Sequence, residues 1–400
     1  MHNIRKITED LFYVGASDRR LALFENVYPV PNGVSYNSYL LLDDKTVLLD
    51  TADASVSQLF FDNVCAALNG RQLDFLVVNH MEPDHCALIA DLLLRYPSVE
   101  VVSNAKAIAM IKQFFPQAKD FNFRIVSEGD VLCSGRHTLH FVMAPMVHWP
   151  EAMVTFDSAD GILFSADAFG TFGAIGGHLF ADQLDFDRNC IDEARRYYTN
   201  IVGKYGVQVQ SLLNKAASLD IKMVCPLHGP VWRSNIGYFV EKYSCWSSYK
   251  PELHGVLLVY GSIYGNTANA ADILAAKLAD KGVGSIAVYD VSKTDVSVLV
   301  SEAFRYSHIV LASSTYNNGI FTPMENFLLD LKAHALQNRT FAIVENGTWA
   351  PQSGKLMRSI LESMKNITVV EPVVTIKSAV GIAQMDTIET LASAIVGQMQ

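Results

Sequence analysis

Three features of the sequence predict an α/β protein built as two domains in tandem. The chain has 400 residues, more than one hydrophobic core usually serves. Half of its residues are apolar and only 18% are charged, a composition suited to large buried α/β layers. The rhythm of apolar runs also changes across Tyr243–Gly255, from short strands with scattered helices to regular strand–helix alternation.

From about residue 10 to 180 short apolar runs recur at Ser38–Leu42, Thr46–Asp50, Leu73–Val78, Val99–Val102, Leu139–Val142 and Gly161–Ser165. Helical periodicity shows at 86–95 and 104–115, and 190–219 reads as one long helical segment or two. Strands with interspersed helices predict two sheets with helices outside. Tyr243–Gly255, with Trp246 and Pro251 among polar residues, reads as a linker between domains 1–248 and 253–400. Beyond it come a strand at Val256–Tyr260, a Gly-containing loop and a helix from about 267. Strands near 285–289, 308–312 and 340–344, a helix near 323–335 and a final helix complete the pattern. Such alternation predicts a doubly wound parallel sheet.

A net charge of −10 argues against nucleic acid as the main partner, which needs a basic face. The six cysteines, at 65, 86, 133, 190, 225 and 245, form no Cys-x-x-Cys pair, so neither an iron–sulfur module nor a disulfide framework is expected. The residues Met1–Lys6 hold no apolar signal core, and no apolar run approaches a membrane span. The expected home is a reducing cytoplasm.

The hexapeptide His80-Met81-Glu82-Pro83-Asp84-His85 places four potential metal ligands in six residues, directly after the strand-like Leu73–Val78. In an extended segment, positions 80, 82 and 84 would project to one side, with His85 turning the loop toward a second centre. Two adjacent ions need that many ligands; one rarely does. His148, Asp167 and His228 each follow a short apolar run and precede Gly, Pro or an aromatic within a few residues. Four imidazoles and three carboxylates without a thiolate suit iron or manganese as well as zinc. Asp167 is the best candidate for a carboxylate that bridges two ions.

In the second domain Gly261-Ser262-Ile263-Tyr264-Gly265-Asn266-Thr267 joins an apolar strand to a helix. Hydroxyls, backbone N–H groups and a helix N-terminus there suit a phosphate. Ser313-Ser314-Thr315-Tyr316-Asn317-Asn318-Gly319 and Glu345-Asn346-Gly347-Thr348-Trp349-Ala350 follow the next strands and should share the crevice at the carboxyl edge. The loop Gly261–Thr267 resembles the flavodoxin phosphate loop, and that resemblance makes Tyr316 and Trp349 the candidates for contact with a flavin ring.

Together, His-x-Glu-x-Asp-His, His148, Asp167 and His228 resemble the metallo-β-lactamase fold in its flavodiiron variant. Hydrolases of that superfamily carry His where this chain has Glu82. The second domain resembles flavodoxin, so the likeness spans essentially the whole chain. It implies an N-terminal metallo-β-lactamase-like αββα sandwich and a C-terminal flavodoxin-like sheet, a class A member with no further module after Gln400. It also implies that His80, Glu82 and His148 bind the iron nearer the flavin, that Asp84, His85 and His228 bind the other, and that Asp167 bridges. The family counterpart of His85 is not always a ligand.

The implied activity is electron transfer from an external rubredoxin-like donor through FMN to a di-iron centre, which reduces dioxygen to water or nitric oxide to nitrous oxide. The implied assembly is a head-to-tail homodimer, or a dimer of such dimers, with neither nucleic acid nor membrane as partner. Two other readings stay open. A zinc metallo-hydrolase fused to a flavodoxin domain is disfavoured by Glu82, and a non-enzymatic electron carrier by the intact set of seven ligands. One departure is visible: many members have a histidine near Phe24-Glu25-Asn26, where this chain has Glu25. His178 and Tyr197 are further candidates for that pocket role.

Overall fold

Tyr39–Leu42 and Thr46–Leu49, two of the apolar runs, pair as an antiparallel hairpin with Tyr39 opposite Leu49. In the computed structural model, which describes residues 2–399, they lie inside a seven-stranded sheet. Its order is Arg5–Lys6, Leu11–Tyr13, Tyr39–Leu42, Thr46–Leu49, Phe75–Val77, Glu100–Ser103 and Asn122–Ile125. A second, five-stranded sheet runs Val131–Cys133, Thr138–Met143, Met153–Asp157, Ile162–Phe164 and Met223–Cys225. The period of two explains the packing: Leu139 and Phe141 are buried while His140 and Val142, on the other face, are half-buried. Leu139, Phe141, Met153 and Phe164 share one core with Leu41, Leu49, Val77 and Val102 of the first sheet. The two sheets therefore stack face to face, as the sequence predicts.

The chain divides into two units, Met1–Tyr198 with Val207–Ser244, and Thr199–Gly206 with Cys245–Gln400. The second unit contains a parallel sheet in the order Ile286–Asp290, Leu253–Gly261, Tyr306–Tyr316, Arg339–Asn346, then Ile367–Val369 and Val374–Ile376. Its three central strands are apolar on both faces, whereas the edge strand Ile286–Asp290 is half-exposed. Leu257, Val259, Ile309, Leu311, Phe341 and Ile343 join one core, and Val256, Leu258, Val310, Ala312, Ala342 and Val344 the other. Helices cover both faces, which makes these strands continuous apolar runs rather than alternating ones. The order is that of a flavodoxin-like sheet, and the loops after Gly261 and Tyr316 flank its switch point.

Three local expectations change. The hexapeptide is extended only as far as Glu82; Pro83 then starts a helical turn, Pro83–Cys86, because its fixed φ suits the first helical position. Asp84 and His85 thus sit on a helix rather than on a strand-like segment. The expected linker is largely ordered. Its first part ends the helix Ile236–Ser247, and the strand begins at Leu253. Trp246 is fully buried and its Nε1 donates to Glu252. The helical stretch at 190–219 is broken into Ile191–Tyr197, a π-turn Tyr198–Val202, a 3-10 turn and Gly206–Ala216. Helices Ser57–Leu68, Val296–Arg305 and Ser353–Glu362 were not anticipated from the sequence.

Candidate metal and flavin sites

The ligand candidates leave the sheets at strand ends. His80 follows Phe75–Val77, His148 sits between Thr138–Met143 and Met153–Asp157, Asp167 follows Ile162–Phe164, and His228 follows Met223–Cys225. All seven side chains converge, and none of the seven residues is more than 8% exposed. They form two groups, His80, Glu82, His148 and Asp167, and Asp84, His85 and His228. In the first, His80 Nε2 is 3.3 Å from both Glu82 Oε2 and Asp167 Oδ2, while His148 Nε2 is 3.1 Å and 3.0 Å from the same oxygens. In the second, Asp84 Oδ2 is 3.3 Å from the Nε2 atoms of both His85 and His228. Asp167 faces both groups: its other oxygen, Oδ1, is 3.2 Å from His85 Nε2 and 3.7 Å from His228 Nε2.

The surroundings set the imidazole tautomers. His80 Nδ1 lies 3.0 Å from Glu151 Oε1, and His228 Nδ1 donates to Ser35 O at 2.7 Å. Each Nε2 then turns its lone pair to the cluster. Asp50 holds the approach to His80, accepting from Asn79 N, Asn79 Nδ2 and His80 N. Burial opposes charge on His80, His85 and His148, yet the carboxylates outweigh it. They lift His85 to about 8 and His148 to about 9.

Both oxygens of Asp84 and the Oδ1 of Asp167 are buried without a hydrogen-bond partner among the described residues. Buried carboxylate oxygens are costly unless paired with cations or metal ions. The residues therefore fit a pair of metal ions, whose binding would displace protons from the imidazoles.

Of the pocket candidates, Glu25 has a left-handed backbone (φ +50°). Burial, then the neighbouring Glu82, pushes its carboxyl up to about 8. Tyr197 is fully buried, its ring centroid 5.4 Å from that of His228, and its hydroxyl has no hydrogen-bond partner among the described residues. His178 is exposed and lines a separate cavity of about 280 Å3 with Thr171 and Glu193.

In the second unit the three predicted loops surround a cavity of about 530 Å3. Every residue of the three loops lines it except Gly261, Gly265, Ser313, Gly319 and Glu345. Gly265 instead turns the chain into the helix Asn266–Asp280 with φ +94°, a conformation that favours glycine. Thr267 Oγ1 lies 2.9 Å from Ser314 Oγ and accepts from Asn346 Nδ2 at 3.2 Å, tying one residue of each loop together. Tyr316 is half-exposed and Trp349 is 87% exposed, leaving both rings open to a flat ligand.

Two family profiles match the chain: the "ODP family beta lactamase" over residues 34–229 and flavodoxin over 258–380. An anaerobic nitric oxide reductase flavorubredoxin of Aeromonas hydrophila is 31% identical over 349 residues, covering 86% of this chain and 70% of that one. A Vibrio vulnificus protein of the same name is 32% identical over 330 residues, and the match spans only 66% of its length. Among solved structures, rubredoxin oxygen:oxidoreductase from Desulfovibrio gigas superposes with a TM-score of 0.93 at 26% identity, covering 99% of this chain and 98% of that one. The flavodiiron protein from Giardia intestinalis shares the fold, with a TM-score of 0.89, 21% identity and 99% and 98% coverage.

The chain belongs to the flavodiiron protein family. It is accordingly a flavodiiron oxidoreductase, and the zinc-hydrolase and electron-carrier readings are not favoured.

Four residues around the two sites escaped the sequence reading. Glu151 follows Pro150 and reads there as a loop acid. Asp50 and Ser35 act at the backbone of distant segments. Ser378 lines the flavin cavity, its N donating to Asn346 Oδ1 at 3.1 Å. Only Ser378 left a usable signal, since a further parallel strand should send its own loop to the same edge.

Proposed function

We propose that this flavodiiron protein binds two irons and one FMN, takes electrons from a rubredoxin-like donor, and reduces dioxygen to water or nitric oxide to nitrous oxide. Residues 1–248 would form the metal domain and 253–400 the FMN domain. The observation that carries this reading is Asp167, whose two oxygens each face a different ligand group. His80, Glu82 and His148 are the proposed ligands of one iron, Asp84, His85 and His228 those of the other, with Asp167 between them. When bound, the flavin would store electrons and the irons would bind and polarise the gas. The hydroxyl of Tyr197 and the carboxyl of Glu25 are the proposed hydrogen-bonding groups of the gas pocket.

Anaerobic kinetics on iron- and FMN-replete protein, with each gas in turn and a reduced rubredoxin as donor, test the reading. The expected result is steady consumption of at least one gas, with four electrons taken up per dioxygen or one per nitric oxide. Full cofactor loading with turnover of neither gas would refute it.

Family membership further supports a head-to-tail homodimer, alone or paired, in which the flavin of one chain serves the metal centre of its partner. Mixing FMN-free chains (Thr267→Glu) with metal-free chains (His80→Ala, Asp84→Ala) should then restore turnover in heterodimers. Confirmed heterodimers without turnover would exclude that arrangement. A cytoplasmic location is consistent with six unpaired cysteines. Among the described residues no helix is long and apolar enough to cross a membrane.

A further inference from the structure

Apart from the metal and flavin sites, the N-terminal unit holds a second cavity, of about 440 Å3. Arg5 and Arg19 both line it, beside the buried ring of Tyr13 and the apolar side chains of Leu59, Ile175 and Leu179. No aspartate or glutamate is among its lining residues, although the chain has 41 acidic residues against 31 lysines and arginines. The positive charge is thus local to the cavity and opposite in sign to the molecule as a whole.

The two guanidiniums are held by one loop. Arg5 Nη1 donates to Gly177 O at 2.7 Å and Arg19 Nη2 donates to Ile175 O at 2.9 Å. Those carbonyls are two residues apart, which limits their separation along the chain to roughly 7 Å. Gly177 has φ +104°, a left-handed turn that suits glycine. Each arginine carries five N–H donors, and these carbonyl bonds engage one donor of each. Neither has a carboxylate partner among the described residues. Two like charges are therefore brought to one cavity by neutral groups, with most of their donors unengaged.

We propose that this cavity binds a small organic anion. Its oxyanion head, a carboxylate or a phosphate ester, would lie between Arg5 and Arg19, and its apolar body against Leu59, Ile175 and Leu179. Guanidinium forks match the paired oxygens of both head groups. A cavity of this volume is in the range used for small-molecule ligands. The site stands apart from the redox reaction and asks nothing of the flavin or the irons.

Calorimetric titration of the iron- and FMN-loaded protein with benzoate, phenyl phosphate and inorganic phosphate tests the proposal. The expected result is saturable one-site binding of benzoate or phenyl phosphate, and whichever is tighter identifies the head group. Inorganic phosphate, lacking the apolar body, should bind more weakly than phenyl phosphate. The double variant Arg5→Gln, Arg19→Gln should weaken binding at least about tenfold while iron content, FMN content and gas turnover stay unchanged. Leu59→Glu, at a half-exposed wall position, should abolish binding through charge repulsion and serves if the double variant does not fold. Lack of saturation at about 10 mM, or binding retained in these variants, would overturn the proposal. A loss of thermal stability without any ligand binding would do the same, and would show that the arginines only fasten the loop.

Discussion

The Nε2 atoms of His85 and His228 lie 3.0 Å apart, with both rings fully buried. His228 gives its Nδ1 proton to Ser35 O, so its Nε2 faces His85 with a lone pair. Two imidazoles brought together in this way, with Asp84 Oδ2 3.3 Å from each nitrogen, must share either a proton or a metal ion. The pairing also explains why Asp167 matters so much, since it is the carboxylate that reaches both this group and the one around His80.

Asp167→Ala should therefore empty both positions together. Iron measured by plasma mass spectrometry should fall from about two per chain to below about 0.5, since a two-ion centre shares this ligand. FMN, measured by absorbance, should stay at its original level, because its loops lie in the other unit. Retention of one iron per chain would show that Asp167 serves a single ion.

Much of the proposed ligand set is legible in the sequence because four donors crowd one hexapeptide and the other three follow strand-like runs. The doubly wound sheet is legible for a similar reason: Val256–Val259, Ile309–Ala312 and Phe341–Val344 are buried on both faces and read as continuous apolar runs. The helix Val296–Arg305 is not. Its Val296, Val298 and Val300 are β-branched and mimic a strand, while the Asp295 cap that starts it, through a 2.9 Å bond to Ser297 N, is a single residue. The second layer of the metal site is hidden because Glu151 and Ser35 act across the fold, through one carboxylate and one backbone carbonyl that no spacing reveals.

Glu151→Gln should loosen the metal centre without removing a ligand. Glu151 accepts from Met81 N at 2.9 Å and faces His80 Nδ1, so it sets both the loop and the ring. An amide in its place keeps the shape but loses the negative charge, and such changes typically lower metal affinity about 10–100-fold. Competitive titration with a chelator measures this. Unchanged affinity would mean that His80 is oriented by packing alone.

Thr267→Val should act on the flavin alone. The methyl keeps the volume, but Ser314 Oγ and Asn346 Nδ2 each lose a partner at the centre of three loops. We expect FMN affinity to fall about tenfold and stability by about 1–2 kcal/mol, with iron content unchanged. Fluorescence titration of FMN into flavin-free protein provides the measurement.

The pH dependence of stability should carry a signature of His137. This buried imidazole faces Asp157 at 2.8 Å and Asp10 at 2.9 Å. Burial opposes its charge, but the two carboxylates win and raise it from 6.5 to about 9. A raised pKa gives stability that is complete below pH 6.5 and is lost as pH rises through about 9. Asp10 is shifted the other way, so its share is present above pH 3.8 and is lost only in strong acid. Arg136, half-exposed and 2.7 Å from His137 Nε2, opposes a second charge, so we place the His137 contribution at about 1–2 kcal/mol. In the metal-loaded protein, where the cluster imidazoles are held by the ions, His137→Gln should lower the melting temperature at pH 6 and reduce the decline between pH 6.5 and 9. An identical decline in the variant would assign it to other groups.

The measurement that bears most directly on the whole account is the cofactor content of the chain produced in iron-replete cells and purified without added metal. Quantifying iron, zinc, manganese and FMN against protein concentration should give about two irons and one FMN per chain, as two ligand groups sharing Asp167 and one flavin cavity require. One zinc per chain with no iron would contradict it.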